Sequence, residues 1–146
     1  ATWVLRRAEM RLATPAARRY AGGVIQIVFN EISAGELSRL PTQIQFQLLE
    51  ALDIGPKDVE EGMLEKRFGV LLREGKKLFR CRAGDYRVYF AADGNTIGVH
   101  RVLHRNSLQD FLYRSNLPGS GEDEALSESK HFWQLIDEGA KTLKAI

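Results

Sequence analysis

Cysteine, proline and long apolar runs are scarce in this sequence of 146 residues, which has one cysteine and four prolines. Cys81 alone cannot form a disulfide within the chain and has no partner cysteines for a zinc knuckle, so we expect a reducing compartment. No apolar run approaches the ~20 residues that span a bilayer. The sequence therefore predicts a soluble chain without a membrane-spanning segment, and its length suits a single domain.

Net charge is also small, at +2, but it is unevenly distributed along the chain. Residues 1–23 carry +4, residues 24–66 carry −5, residues 67–114 carry +6 and residues 115–146 carry −3. A local electric field acts over about 8–10 Å at physiological salt. The basic block at 67–114 can therefore attract phosphate whatever the total charge is, although a solvated basic face is the alternative.

Residues 1–23 are rich in alanine and arginine and end in Gly22-Gly23. We interpret them as a basic lead-in or arm with a helical pattern. An arginine-rich, acid-poor composition is typical of organelle targeting segments. The alternative is a short amphipathic helix that packs on the domain through Trp3, Val4 and Leu12.

The middle of the chain predicts an α+β domain. A β-branched stretch at 24–29 predicts a buried strand. Residues 33–40 and 42–52 have helix-start signals and apolar faces, so they predict a helical hairpin. Alternating residues between 70 and 103, interrupted by Gly and Asp turns, predict three or four consecutive strands, and 107–114 a short helix. Hairpin-linked strands form an antiparallel sheet, and the helices must cover one of its faces.

Arginines recur along these predicted strands. Arg80 and Arg82 share one face of a strand by the period of two, the next strand adds Arg87, and Arg105 follows the last strand. Guanidinium groups match phosphate oxygens in a planar, bidentate way. With the helical hairpin on the other face, we expect the arginine face to be open to solvent and to bind a nucleic-acid backbone.

Single-stranded RNA also needs rings on which its bases can stack. Tyrosines at 86, 89 and 113 lie close in sequence to the arginines and are candidates for this role. For any single arginine, the alternative is a salt bridge to Asp85, Asp93 or Asp110.

Residues 77–91, KLFRCRAGDYRVYFA, followed by a strand and VLHR at 102–105, resemble the closing half of the RelE/ParE superfamily of bacterial toxins. The early strand, the leucine-rich hairpin with LSRLP and a glycine-containing loop fit the opening half, so the resemblance covers roughly residues 24–114. The tail HRNSLQDFLYRSNLP at 104–118 is similar to versions from cyanobacteria and photosynthetic lineages. The resemblance implies a helical hairpin on one face of a small twisted antiparallel sheet, with N- and C-terminal helical extensions added in this chain.

The resemblance also implies a ribosome-dependent endoribonuclease that cleaves mRNA without a metal or cofactor, by attack of the ribose 2′-hydroxyl on the adjacent phosphate. This reaction needs a base, positive charge at the phosphorane and an acid. By position, Arg80 and Arg82 match a pair of basic residues that hold substrate, Arg87 matches the arginine that stabilises transition-state charge, and Arg105 matches the arginine near the leaving group. His104 is a further candidate acid or base. The RNA-binding candidates are Lys77, Tyr86, Tyr89, Phe111 and Tyr113.

Phe111 stands where the nuclease branch of the family often has a tyrosine, and a phenyl ring cannot move a proton. Arg80 and Arg82 are also poor bases, because guanidinium hardly deprotonates. The sequence therefore leaves two functions open. One is an active mRNA interferase with mRNA on the ribosome and an antitoxin as partners. The other is a non-catalytic RelE/ParE-fold subunit of a larger assembly, such as a ribosome or photosynthetic complex, or a gyrase-binding toxin. The expected location is bacterial cytoplasm, with plastid stroma as the alternative.

Residues 115–146 are predicted to form a linker, PGSG at 118–121, and an acidic amphipathic helical extension. The toxin family does not need such a segment. We therefore hypothesise that residues 122–146 dock in cis, near the basic block or over the seam that an antitoxin would use; the alternatives are an extension of the core or contact with a partner protein. The apolar stripe of the extension consists of Leu126, Phe132, Trp133, Leu135 and Ile136.

Overall fold

A computed structural model describes residues 3–4, 17–20, 23–60, 62–115 and 122–144 of the chain. The strands in these ranges are β1 (Trp3–Val4), β2 (Ala17–Tyr20), β3 (Gly23–Phe29), β4 (Gly69–Arg73), β5 (Lys76–Ala83), β6 (Tyr86–Asp93) and β7 (Thr96–His104). The helices are α1 (Glu31–Ser38), α2 (Thr42–Ala51), α3 (Pro56–Glu60), α4 (Leu64–Arg67), α5 (Arg105–Ser115), α6 (Glu122–Glu128) and α7 (Lys130–Lys144).

The strands form one mixed sheet in the order β1-β3-β7-β6-β5-β4, with β2 also paired to β3. Strands β4 to β7 form an antiparallel meander. Strand β3 lies parallel to β7, with Ile27 opposite Ile97, so the prediction of a wholly antiparallel sheet is wrong. The reason is that a helical segment rather than a hairpin separates β3 from the meander, and the three reversals from β4 to β7 bring β7 back beside β3 in the parallel direction. The α+β class is confirmed, while a RelE/ParE arrangement stays a prediction.

Strands β1 and β2 both pair with β3 in antiparallel orientation, on the edge that β7 leaves free. The predicted helical lead-in is therefore wrong for residues 3–4 and 17–20, where the backbone is extended. The physical reason is that an open strand edge presents unpaired N–H and C=O groups that another strand can satisfy. Leu12, expected to be an apolar contact, lies outside the described residues.

One face of the sheet, called the first face, packs on the hairpin of α1 and α2, as predicted. The Phe90 ring stacks on Phe79 with centroids 5.4 Å apart and meets Phe68 edge-on at 5.1 Å. Cys81 is buried among these residues, and this burial raises the pKa of its thiol to about 11. The first core contains Ile25, Ile27, Phe29, Ala34, Leu37, Leu48, Leu49, Leu52, Ile54, Leu64, Phe79, Cys81, Val88, Phe90, Ile97, Val99 and Val102, none of them charged.

Helices α5, α6 and α7 supply the cover of the opposite face, called the second face. The prediction that this face is open to solvent is wrong, because the apolar stripe of the C-terminal extension buries against it. In the described ranges no helix is long and apolar enough to cross a membrane. The second core contains Leu71, Leu78 and Tyr89 from the sheet, with Leu108, Leu126, Phe132, Trp133 and Ile136 from the helices.

Candidate nucleic-acid interface

Three of the predicted arginines lie together on the second face. Arg82 of β5 is directly opposite Arg87 of β6, and Arg80 is opposite Tyr89. Leu78, on the same side of β5 as Arg80 and Arg82, belongs to the second core, whereas the intervening Phe79 and Cys81 belong to the first. The sheet therefore presents three guanidinium groups from two neighbouring strands on one surface.

Arg80 is bound by an aspartate of the C-terminal extension. Its Nε donates to Oδ1 of Asp123 at 3.1 Å and its Nη2 donates to Oδ2 at 2.6 Å, which makes a bidentate pair. The two side chains are mostly buried, with exposed fractions of 15% and 22%. The hydrogen bonds to Asp123 raise the pKa of Arg80, so this guanidinium remains charged.

Gly69 lies directly beside this ion pair. It is opposite Arg80 in the pairing of β4 with β5. A Cβ atom at this position would lie 2.6 Å from both the guanidinium carbon of Arg80 and Oδ2 of Asp123. Glycine at this position therefore allows the two charged groups to approach the backbone closely.

Arg87 is bound by the neighbouring acid of the same helix. Its Nε donates to Oε1 of Glu122 at 3.2 Å, and its Nη1 donates to the carbonyl oxygens of Gly84 and Tyr86, both at 3.1 Å. The side chain of Arg87 is 11% exposed. Two consecutive acids in the first turn of α6 thus neutralise two arginines on adjacent strands, in place of the aspartates at 85, 93 and 110 that were considered as partners.

Tyr89 lies between these two pairs and is fully buried. Its ring meets that of Phe132 edge-on, with centroids 5.0 Å apart, so the predicted stacking on an RNA base is impossible while α7 is in place. Its hydroxyl has no hydrogen-bond partner among the described residues. Burial raises the pKa of this phenol well above its usual range, and the hydroxyl therefore keeps its proton as an unused donor.

The two other arginines proposed for the site are exposed. Arg82 makes no ion pair with any residue in the described ranges. Arg105 begins α5, and its Nε lies 3.5 Å from Oδ1 of Asp85, with both side chains more than half exposed. Its backbone N–H donates to the carbonyl oxygen of Asp85 at 2.8 Å. Both guanidinium groups are therefore accessible to a large ligand.

Three further predicted site residues do not lie on the second face with Arg80, Arg82 and Arg87. Tyr86 and His104 are opposite each other, with rings edge-on at 5.0 Å, and Tyr86 packs against the first core. Nδ1 of His104 accepts a hydrogen bond from the backbone N–H of Asn106 at 3.1 Å. Lys77 pairs with Glu65 of α4, and its Nζ lies 5.5 Å from the centroid of the first-core residue Phe79. The side chains of Phe111 and Tyr113, on α5, lie outside the part of the chain whose side chains are described.

The sequence pattern does not predict Arg101, a fourth arginine of this face. It is opposite Tyr89 on β7, and its guanidinium donates three hydrogen bonds of 2.9–3.2 Å to the carboxylate of Glu36. Glu36 also accepts from the backbone N–H of Val102 at 2.9 Å. Because β3 ends before this part of β7, side chains of α1 satisfy the free strand edge.

Helix α1 begins at Glu31, two residues before the helix that the sequence predicts at 33–40. Asn30 is the N-cap: its side chain accepts from the Ser33 N–H at 2.7 Å, and the Ser33 hydroxyl accepts from the Asn30 N–H at 3.1 Å. This reciprocal pair forms the capping box. Glu36 lies outside this capping box, and its carboxylate binds Arg101.

Comparisons with protein-family models, with curated proteins and with solved structures give no match to this chain. The resemblance to RelE/ParE toxins therefore rests on the sequence pattern of roughly residues 24–114, with 77–91 and 102–105 as its main motifs, and stays a prediction. The described residues contain no group of three or more His, Cys, Asp or Glu side chains placed to hold a metal ion. The chemistry that the second face can perform is that of its arginines and of one phenol hydroxyl.

Proposed function

We propose that this chain is an RNA-acting protein of the RelE type, an endoribonuclease that cleaves mRNA on the ribosome without a metal ion. The observation that supports the proposal is the convergence of Arg80, Arg82 and Arg87 on one face of the sheet. Two of these arginines already hold carboxylates, and one does so with the bidentate geometry that guanidinium uses for phosphate.

In this proposal Arg80 and Arg87 bind the non-bridging oxygens of the scissile phosphate and stabilise the charge that develops on phosphorus. The ribose 2′-oxygen forms a bond to phosphorus while the bond to the 5′-oxygen breaks, which yields a 2′,3′-cyclic phosphate and a 5′-hydroxyl. The 2′-hydroxyl loses its proton to solvent water, and the 5′-oxygen gains one from solvent water. Because guanidinium retains its protons, the arginines act through charge rather than as bases, and Arg105 is accessible to the leaving group.

Incubation with translating ribosomes and mapping of the mRNA ends tests this function. We expect cuts at defined positions, and we expect Arg87→Ala to lower the cleavage rate by about 10²-fold or more, as the loss of one stabilising donor does elsewhere. Arg105→Ala is expected to act in the same direction. Arg39→Ala is the matched control, since Arg39 is an exposed arginine at the end of α1. Absence of cuts under conditions where an active toxin of this type cleaves would overturn the nuclease function.

A second candidate is a non-catalytic binding subunit, and a specific observation favours it. The extension forms an apolar core with the second face, in which Phe132 and Trp133 are buried, and the Trp133 Nε1 donates to the carbonyl oxygen of Ser127 at 2.9 Å. A face covered by helices in this way can have a purely structural role. Such a protein would bind through the exposed Arg82 and Arg105, and it would sediment with ribosomes without producing cuts.

A further inference from the structure

We infer that Glu122 and Asp123 are internal substitutes for phosphate oxygens, so that RNA reaches the second face only when α6 leaves it. This inference deepens the proposed function and rests on it. The ligand of the site is then the phosphodiester backbone of RNA. The carboxylates of Glu122 and Asp123 compete with it for the arginines. The pairing is specific, because consecutive carboxylates bind arginines on two adjacent strands.

The composition of the second face supports this inference. A buried ion pair is often no more stabilising than apolar residues of the same volume, and the apolar cores on both faces are built without any charged side chain. A surface that served only to seat α6 would therefore not need Arg80 and Arg87. Gly69 leaves room beside the backbone for this charged contact, since a Cβ atom there would lie 2.6 Å from Oδ2 of Asp123.

The hydroxyl of Tyr89 points to the same conclusion. Buried hydroxyl groups normally have hydrogen-bond partners, and one without a partner is destabilising. The Tyr89 phenol is close enough to both ion pairs for Glu122 and Asp123 to raise its pKa and for Arg80 and Arg87 to lower it. If phosphate oxygens replace the two carboxylates, this hydroxyl can donate to one of them and ceases to be unsatisfied.

The two helices of the extension differ in how firmly they are held. Helix α6 has seven residues and buries Ala125 and Leu126, whereas α7 contributes Phe132, Trp133 and Ile136 to the second core. Ser129, a non-helical residue, separates them. Release of α6 alone therefore exposes much less apolar surface than release of the whole extension.

Fluorescence anisotropy with a short 2′-O-methyl RNA tests the inference, because this RNA lacks the attacking hydroxyl and reports binding without cleavage. The test variant is Glu122→Gln with Asp123→Asn, which keeps the side-chain shapes but leaves both arginines without a carboxylate. The matched control is Glu124→Gln with Glu128→Gln, which removes the same charge from exposed positions of the same helix. We expect the test variant to bind about tenfold more tightly than wild type, and the control to change affinity by less than about twofold.

The salt dependence gives a second reading from the same titrations. Arg80 and Arg87 are expected to contribute about 1.4 to the slope of log K against log salt for a single strand, and Arg80→Ala with Arg87→Ala is expected to remove that contribution. Equal changes in affinity in the test and control variants would indicate a general charge effect and would overturn the inference. The proposed function would still stand in that case if Arg87→Ala lowers cleavage, whereas absence of both RNA binding and cleavage would remove the two together.

If the double variant misfolds, hydrogen exchange on the wild-type protein still tests whether RNA releases α6. On addition of RNA, amides of residues 122–128 are expected to exchange at least about tenfold faster, while those of β6 stay protected. RNA binding with unchanged protection in α6 would overturn the inference.

Discussion

The two faces of one sheet are covered in different ways in this protein. The first face meets a helical hairpin, and its core contains apolar side chains and one thiol. The second face meets a helical extension near the end of the described chain, and its apolar centre is bordered by three mostly buried ion pairs, two of them with the extension and one with Glu36 of α1, and by an unsatisfied hydroxyl. Apolar packing leaves no polar group to satisfy, whereas the ion pairs and the phenol hydroxyl of the second face destabilise it wherever a partner is missing. We therefore expect the second face to open at a lower free energy than the first.

Truncation of one buried ring on each face is expected to give the largest change in stability among the tests of this difference between the faces. Phe90 and Phe132 are both fully buried, on the first and second face respectively. Phe90→Ala is expected to lower the free energy of unfolding by about 3–5 kcal/mol. Phe132→Ala is expected to release α6 and α7 while β6 stays protected. Urea unfolding combined with hydrogen exchange measures both effects.

The outcome that contradicts the comparison is loss of protection throughout the sheet in Phe132→Ala. The two faces would then form one cooperative unit, and α6 could not open separately.

Local patterns made part of this fold predictable. The period of two in residues 78–82 predicts which side chains share a face, and the turns at Gly75, Gly84 and Gly94 match the meander. All three of these glycines have positive φ, which favours glycine. The parallel pairing of β3 with β7 was not predictable in this way, because it joins strands distant in sequence and depends on the crossover between them.

The site was predictable to a similar extent. The alternation places Arg80 and Arg82 on one face, and the opposite charges of 67–114 and 115–146 suggest that these segments meet. The same alternation excludes Tyr86 from the face of Arg87, because neighbouring strand residues point to opposite sides. Which acid meets which arginine depends on the rotation and depth of α6, and the sequence pattern does not contain that information.

A double-mutant cycle on Arg80 and Asp123 measures how much this ion pair of the second face contributes to the free energy of unfolding. We expect Asp123→Ala to lower the free energy of unfolding by about 2 kcal/mol, because it leaves a mostly buried guanidinium unpaired, and the pair to show coupling of similar size. The control is the pair Lys76 and Asp137, whose side chains are 55% and 45% exposed. Its coupling is expected to be below about 0.5 kcal/mol. Equal coupling in both cycles would show that Arg80 is effectively at the surface.

On the first face, the buried thiol of Cys81 is expected to make the free energy of unfolding depend on pH. Burial raises the pKa of this thiol from 9.0 to about 11. The unfolded chain therefore loses this proton first as the pH rises, so the stability contribution is complete below about pH 9 and is lost between about pH 9 and 11. At pH 10 the loss is expected to be about 1.4 kcal/mol. Urea unfolding at several pH values measures this loss, and Cys81→Ala is expected to remove it. An unchanged alkaline profile in Cys81→Ala would show that the thiol is not shielded by the first core.

Tyr89→Phe has the smallest expected effect and bears most directly on the difference between the faces. Since the hydroxyl is buried without a partner in the described residues, its removal is expected to raise the free energy of unfolding by about 1 kcal/mol, measured by urea denaturation. Tyr86→Phe, on the first face and partly exposed, is expected to change it by less than about 0.5 kcal/mol. A destabilised Tyr89→Phe would mean that the hydroxyl is satisfied in the closed arrangement. In that case the second face would be as well adapted to its helices as the first, and its polar border would need no RNA to explain it.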